Sequence, residues 1–172
     1  MAVLEKIEYV NFPACRFIGK SVYARCGMAQ SGDIFGHLWS ISKPYFDMLD
    51  SMSDYATDEV PHIALLTFDK YDDTKELLGY TVGRFMKADT PVPKGFDYFD
   101  LSECIMAKTL IKGNFEDACA TACNIVDKTI KESEKYAADW EKYPFEAEVY
   151  LTPPDDKKDY IFGYYVPCVE KE

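Results

Sequence analysis

Close to the end of the chain, Phe145-Glu146-Ala147-Glu148-Val149-Tyr150-Leu151 alternates apolar with polar residues. In an extended strand this pattern puts Phe145, Ala147, Val149 and Leu151 on one face and Glu146, Glu148 and Tyr150 on the other. Two carboxylates and a phenol on one face are suited to two situations. Facing water, they are the ordinary solvated side of a half-buried strand. Facing a cleft, burial raises a carboxyl pKa and makes the group a strong partner for a cation or a proton. The spacing alone leaves both readings open.

Other chemistry-bearing residues are less organised. His37 and His62 are the two histidines and come without a matched Ser or Cys nucleophile, so a hydrolytic triad is not expected. The six cysteines, Cys15, Cys26, Cys104, Cys119, Cys123 and Cys168, include no C-x-x-C pair. Cys119 and Cys123 share a helix face, but no third and fourth ligand accompany them. Small buried thiols in a reducing compartment are therefore expected, with no metal and no cofactor. Gly79-Tyr80-Thr81-Val82-Gly83 falls inside a strand rather than at a strand-to-helix turn, so it is not a phosphate loop. The 13 Tyr and 11 Phe suit strands, and a subset suits a concave pocket for a flat or apolar ligand. Trp39, Trp140, Phe35 and Tyr45 are the candidates for lining such a pocket.

Charge narrows the partners. With 30 acidic against 19 basic residues the formal net charge is −11, which opposes direct nucleic-acid binding. The run Lys131 to Lys142 mixes signs at helical spacing and reads as a solvated helix face. Met1 to Lys6 lacks a signal pattern, and no apolar run approaches the ~20 residues needed to cross a bilayer. The expectation is a soluble cytoplasmic chain without membrane contact.

These residues must be positioned by secondary structure, and the chain contains one arrangement twice. Leu78-Gly79-Tyr80-Thr81-Val82 returns as Phe162-Gly163-Tyr164-Tyr165-Val166, each after an acidic turn, Tyr71-Asp72-Asp73 and Pro154-Asp155-Asp156. Ser21 to Gly27 similarly matches Ala107 to Gly113. In the first half, Cys15 to Arg25 reads as a strand, and Asp33 caps a helix that Pro44 kinks or splits. His62 to Asp69 and Leu77 to Met86 form a hairpin. In the second half, Phe96 to Lys112 reads as a strand bent near Ser102, and Asn114 caps a helix. Phe115, Ala118, Cys119, Ala122, Val126, Thr129, Ser133 and Ala137 make one face of that helix. Phe145 to Leu151 and Tyr160 to Val166 close the second hairpin, and Lys87 to Gly95 joins the halves.

The expected fold is α+β: a duplicated β-α-β-β unit with pseudo-twofold symmetry, antiparallel sheets, two main helices and a central ligand cleft. It forms a single domain over 1–172, with repeat one about 5–87 and repeat two about 95–169. Tyr80 and Tyr164, as counterparts, are expected to be structural. Aligning the two glycine strands sets Glu148 against Ala64 or Leu65, an acid in one half where the other has an alkyl group.

The ordered set of strand, helix and hairpin, twice over, ending in Glu148-Val149-Tyr150-Leu151 and Tyr164-Tyr165-Val166-Pro167, resembles the bacterial GyrI-like effector-binding domains. These include the ligand domains of AraC-type and MerR-type multidrug regulators and stand-alone gyrase-inhibitor-like proteins. The resemblance covers nearly the whole chain and implies an acid that recognises hydrophobic, often cationic compounds between aromatic walls. Carried onto this sequence, Glu148 is that acid and Tyr150 its strand partner. The doublet Phe145-Glu146 also resembles a family signature, and Glu148 has the better spacing to Tyr150. No helix-turn-helix segment is evident before the first strand, so a free-standing ligand domain is expected. Two alternatives follow from the same resemblance. One is a hydrolase of cyclopropane-bearing toxins, with Glu148 activating water and Tyr150 donating to the leaving oxygen. The other is an interaction protein that modulates DNA gyrase.

Overall fold

The computed structural model describes residues 1–25, 31–68, 77–151 and 160–171, with nothing described for the side chains of residues 25, 31–33 and 77. The acidic turns Tyr71-Asp72-Asp73 and Pro154-Asp155-Asp156, the strand end at Asp69, Cys26, Gly27 and the side chain of Asp33 fall outside what is described. Among the described residues there are nine strands and three helices, an α+β fold. In chain order they are β1 (Val3–Phe12), β2 (Cys15–Arg25), α1 (Ser31–Ser40), α2 (Lys43–Met52), β3 (His62–Phe68), β4 (Leu77–Lys87), β5 (Asp97–Leu101), β6 (Cys104–Gly113), α3 (Phe115–Glu132), β7 (Tyr136–Ala138), β8 (Phe145–Tyr150) and β9 (Tyr160–Glu170). No helix among the described residues is long and apolar enough to cross a membrane.

The chain divides into two compact units, one continuous over Pro13–Ser102 and one split into Met1–Phe12 and Glu103–Glu172. In the continuous unit the strands run β3-β4-β2-β5, and in the split unit β8-β9-β6-β1, with β7 also on β9. Every pairing within these units is antiparallel. The chain crosses from one unit to the other after Phe12 and again after Ser102. The single bent strand expected from Phe96 to Lys112 is therefore two strands, β5 and β6, that belong to different units. The expected repeat one, about 5–87, takes in most of β1, whereas β1 pairs with β6 in the split unit.

The hairpins follow their sequence pattern, and their glycines have a packing reason. A Cβ on Gly79 would run into Thr67 Oγ1, and one on Gly163 would lie 2.9 Å from Val149 Cβ. Only glycine lets the partner side chain lie across the backbone there. Counting from those glycines fixes the register. Tyr80 lies opposite Leu66 and Tyr164 opposite Glu148, so the counterpart of Glu148 is Leu66, not Ala64 or Leu65. The match of Ser21 to Ala107 is likewise out by one: Ser21 pairs with Thr81 and Lys108 with Tyr165, while Ala107 pairs with Val166.

Helix positions agree with local chemistry. Pro44 stands at the first turn of α2, where its missing N–H costs nothing, and the helix is interrupted between Ser40 and Lys43. Helix α1 starts at Ser31, so Asp33 lies inside it rather than capping it. Asn114 caps α3 by accepting from the Glu116 N–H at 2.9 Å. Ala118, Ala122, Val126 and Ile130, spaced by four, are buried against Ile111, Phe162, Tyr164 and Val166 of the sheet. The small alanines let large β9 rings approach the helix axis. This helix stops at Glu132, with Ser133 as its C-cap, and Ala137 belongs to β7. The face expected to run on to Ala137, and the solvated helix expected over Lys131 to Lys142, thus end one turn after Thr129.

In the continuous unit α2 is pinned by a buried guanidinium. Arg84, 4% exposed, donates to Asp50 through Nε at 3.0 Å and Nη2 at 3.2 Å, and through Nη1 to the Pro61 carbonyl at 2.6 Å. Its plane also lies over Phe46, 4.3 Å from the ring centroid. Ile18, Leu49 and Met86 form the apolar cluster beside it.

Candidate functional site

Strand β8 carries the site residues, and β9 and α3 position them. Glu148 lies directly across from Tyr164, and Tyr150 across from Phe162. Alternation along β9 puts Tyr160, Phe162, Tyr164 and Val166 on one face, all buried against α3. Glu148 and Tyr150 share that face, and Glu146 shares it by strand alternation. All three therefore look toward the helix. The open question of a solvated strand surface is answered by burial: Glu146 is 6% exposed, and Glu148 and Tyr150 are half-buried.

Glu148 and Tyr150 are brought together. The Tyr150 hydroxyl donates to Glu148 Oε2 at 2.7 Å, within the range of a charge-assisted O–H···O⁻ bond. The Tyr150 ring meets Phe162 edge-on at 5.2 Å, so the phenol is held at both ends. A carboxylate already oriented by a neighbour loses little freedom on pairing with a ligand.

Glu146 is in a different state. Burial pushes its carboxyl up to about 7, the Tyr164 hydroxyl donates to it and opposes that rise, and Glu148 and Asp127 push it further up. Tyr164 is itself displaced well above the usual phenol range by burial and by Glu146. Helix α3 contributes a stripe at four-residue spacing, Cys119, Cys123 and Asp127. Burial and then Glu148 push the Cys119 thiol up to about 12. Cys123, exposed as a residue, has its thiol raised by burial and by Glu146, with a hydrogen bond to Tyr164 opposing. The stripe thus runs along β8, Cys119 near Glu148 and Asp127 near Glu146.

The thiols expected to be small and buried divide accordingly. Cys15, Cys104 and Cys168 are buried, Cys119 is half-buried and Cys123 is exposed; all five are thiols rather than disulfides. Among the described residues no group of three or more His, Cys, Asp or Glu side chains is placed to hold a metal ion.

The aromatic candidates lie elsewhere. Phe35 stacks on Tyr80 at 4.0 Å, and Trp39 donates its indole N–H to the Tyr80 hydroxyl at 3.0 Å, so these three form one group in the continuous unit. Tyr45 meets Phe96 edge-on at 5.5 Å and has Lys20 Nζ 5.8 Å from its ring. Trp140 stands in the turn between β7 and β8, 40% exposed. Tyr164, expected to be structural, is both: it packs against α3 and binds Glu146. The sequence signal for this was the cross-strand pairing of Glu148 with Tyr164, which becomes visible only once the register is fixed.

No protein-family model matches the chain, and no curated protein matches it in sequence. Solved structures do match in fold. SAV2435 bound to tetraphenylphosphonium aligns with a TM-score of 0.69 at 12% identity, over 95% of this chain and 94% of that one. A bacterial transcription regulation protein from Staphylococcus aureus aligns at 0.65 and 12% identity, over 95% and 97% of the two chains. The EcmrR C-terminal domain aligns at 0.59 and 10% identity, over 96% and 98%. At these identities the likeness establishes the fold.

Proposed function

We propose, for a chain whose fold is that of the GyrI-like effector-binding domains, that the β8–β9 face beneath α3 captures small apolar cations with Glu148 as counter-charge. The observation that carries this reading is the half-buried Glu148 carboxylate, held by the Tyr150 hydroxyl at 2.7 Å among the Phe162 and Tyr164 rings. A carboxylate supplies charge, and each well-placed ring face adds about 0.5–2 kcal/mol of cation–π attraction. The ligand named for SAV2435, tetraphenylphosphonium, is a compound of this class and lends support by analogy of fold. Phe35, Trp39 and Tyr45 have aromatic partners in their own unit, so this reading rests on Glu148 and Tyr150.

The same pair of groups suits a hydrolase, in which Glu148 activates water. The Tyr150 proton is engaged with Glu148, however, which favours capture over turnover. No observation supports the gyrase-directed role.

Isothermal titration with tetraphenylphosphonium and with neutral triphenylphosphine oxide tests the proposal. Saturable binding with clear preference for the cation supports it. Equal affinity for the two, or binding of neither, contradicts it.

A further inference from the structure

Resting on the Glu148 reading, we infer that the Tyr160 hydroxyl is a second recognition point of the same site, donating a hydrogen bond to a neutral oxygen or nitrogen acceptor on the captured cation. The preferred ligands are then apolar cations that also carry such an acceptor.

The strand register places Tyr160. It opens β9 and pairs with Gly113 at the end of β6. Alternation puts its side chain on the face that carries Phe162 and Tyr164, toward α3. Tyr164 lies across from Glu148 and Phe162 across from Tyr150, so Tyr160 comes next on that face, about 6.7 Å beyond Phe162 along the strand. It stands past the Glu148–Tyr150 pair, on the side away from Glu146. Its ring is fixed by neighbours: Phe115, the first residue of α3, meets it edge-on at 4.9 Å, and Phe162 lies tilted against it at 6.5 Å.

The hydroxyl of this fixed ring is the independent observation. Tyr160 is 0% exposed, and its hydroxyl has no hydrogen-bond partner among the described residues. The two other phenols on this face are engaged, Tyr150 with Glu148 at 2.7 Å and Tyr164 with Glu146. A buried hydroxyl left unpaired is rare in a folded protein, because it gives up its bond to water without replacing it. An incoming ligand that offers an acceptor supplies the missing bond. Burial, then Cys119 and Glu148, raise the phenol well above its usual range, so it keeps its proton and acts as a donor. The negative charge of Glu148 disfavours an anionic acceptor beside it and leaves a carbonyl, an ether or an aromatic nitrogen. A site built to donate to its ligand rejects analogues that lack the acceptor, since the buried donor then stays unpaired.

The test uses 4-benzoylbenzyltrimethylammonium and its 4-benzyl counterpart, which has CH2 in place of the carbonyl. Both carry one permanent charge and nearly the same shape. In isothermal titration the ketone is expected to bind about tenfold more tightly. The carbonyl stretch of the bound ketone should move to lower frequency in the native chain, which reads the hydrogen bond without any substitution. In Tyr160→Phe the preference and the infrared shift should both disappear, and the melting temperature without ligand should be unchanged or higher. If both cations bind and the ketone gains nothing, or if the preference persists in Tyr160→Phe, the inference is overturned while the Glu148 reading stands. A large fall in the melting temperature of Tyr160→Phe would overturn it as well, by showing that the hydroxyl serves the fold. If neither compound binds, the Glu148 reading fails and takes the inference with it.

Discussion

Glu148 holds on β8 the register position that Leu66 holds on β3: each lies across from the tyrosine that follows a strand glycine, Tyr164 in one case and Tyr80 in the other. An alkyl group holds this register position in one unit and a carboxylate in the other. Half-burying a charge where a leucine fits costs stability, which a binding site tolerates and a purely structural strand does not. Replacing Glu148 with Leu should leave the melting temperature unchanged or higher, while abolishing cation capture. A thermal melt beside a binding titration checks both, and a large drop in melting temperature would show that Glu148 is structural.

Glu146 predicts how stability depends on pH. Its folded value of about 7 lies above the ordinary carboxylate value near 4.5, so the folded state keeps a proton that the unfolded state has lost. The associated stability is fully present below the unfolded value and declines as pH rises to about 7, by at most roughly 3 kcal/mol. Urea denaturation midpoints between pH 5 and 8 should fall in the native chain. In Glu146→Gln, which keeps an acceptor for Tyr164, that part of the slope should vanish.

Asp50 and Asp47 sit on the same helix but in unequal ion pairs. Asp50 faces the buried Arg84 guanidinium, whereas Asp47 pairs with Lys43 in water, with both side chains more than half exposed. Desolvation opposes the charge on Asp50, yet the Arg84 and Tyr55 hydrogen bonds hold its carboxyl below the usual range. Asp50→Asn leaves a buried guanidinium without its counter-charge and should cost about 2–3 kcal/mol, below the fully buried case because Asp50 is partly exposed. Asp47→Asn should stay within about 0.5 kcal/mol. Chemical denaturation of the two variants decides; equal costs would show that the Arg84 contact does not pin α2.

The legible and illegible parts of the structure differ for physical reasons. Both hairpins and the start of α3 were readable because alternation, strand glycines and the Asn114 cap are local signals. Strand β1 was missed because its register shifts between Leu4 and Lys6. That bulge lets Leu4 and Ile7, three apart, both pack on the core and breaks the period-two pattern. The break between β5 and β6 carries neither Gly nor Pro, only Ser102 and Glu103, so the crossing into the other unit left no turn signal. At the site, alternation correctly put Glu146, Glu148 and Tyr150 on one face. It could not tell which is deepest, because burial of Glu146 is set by α3 and Tyr164, more than ten residues away in sequence. Nor could short repeats fix the register, since a slip of one residue turns every side chain to the opposite face.

The most direct test of the account is the affinity of Glu148→Gln for tetraphenylphosphonium, measured at pH 6, below the Glu146 value of about 7, so that Glu146 is mostly neutral and contributes little charge. Glutamine keeps the shape and still accepts from Tyr150, so the change isolates charge. Loss of a charge-assisted contact of about 1.5–3 kcal/mol predicts a roughly 10- to 150-fold weaker affinity, with little change for triphenylphosphine oxide. An affinity for the cation that matches the native chain would contradict the assignment of Glu148 as the counter-charge.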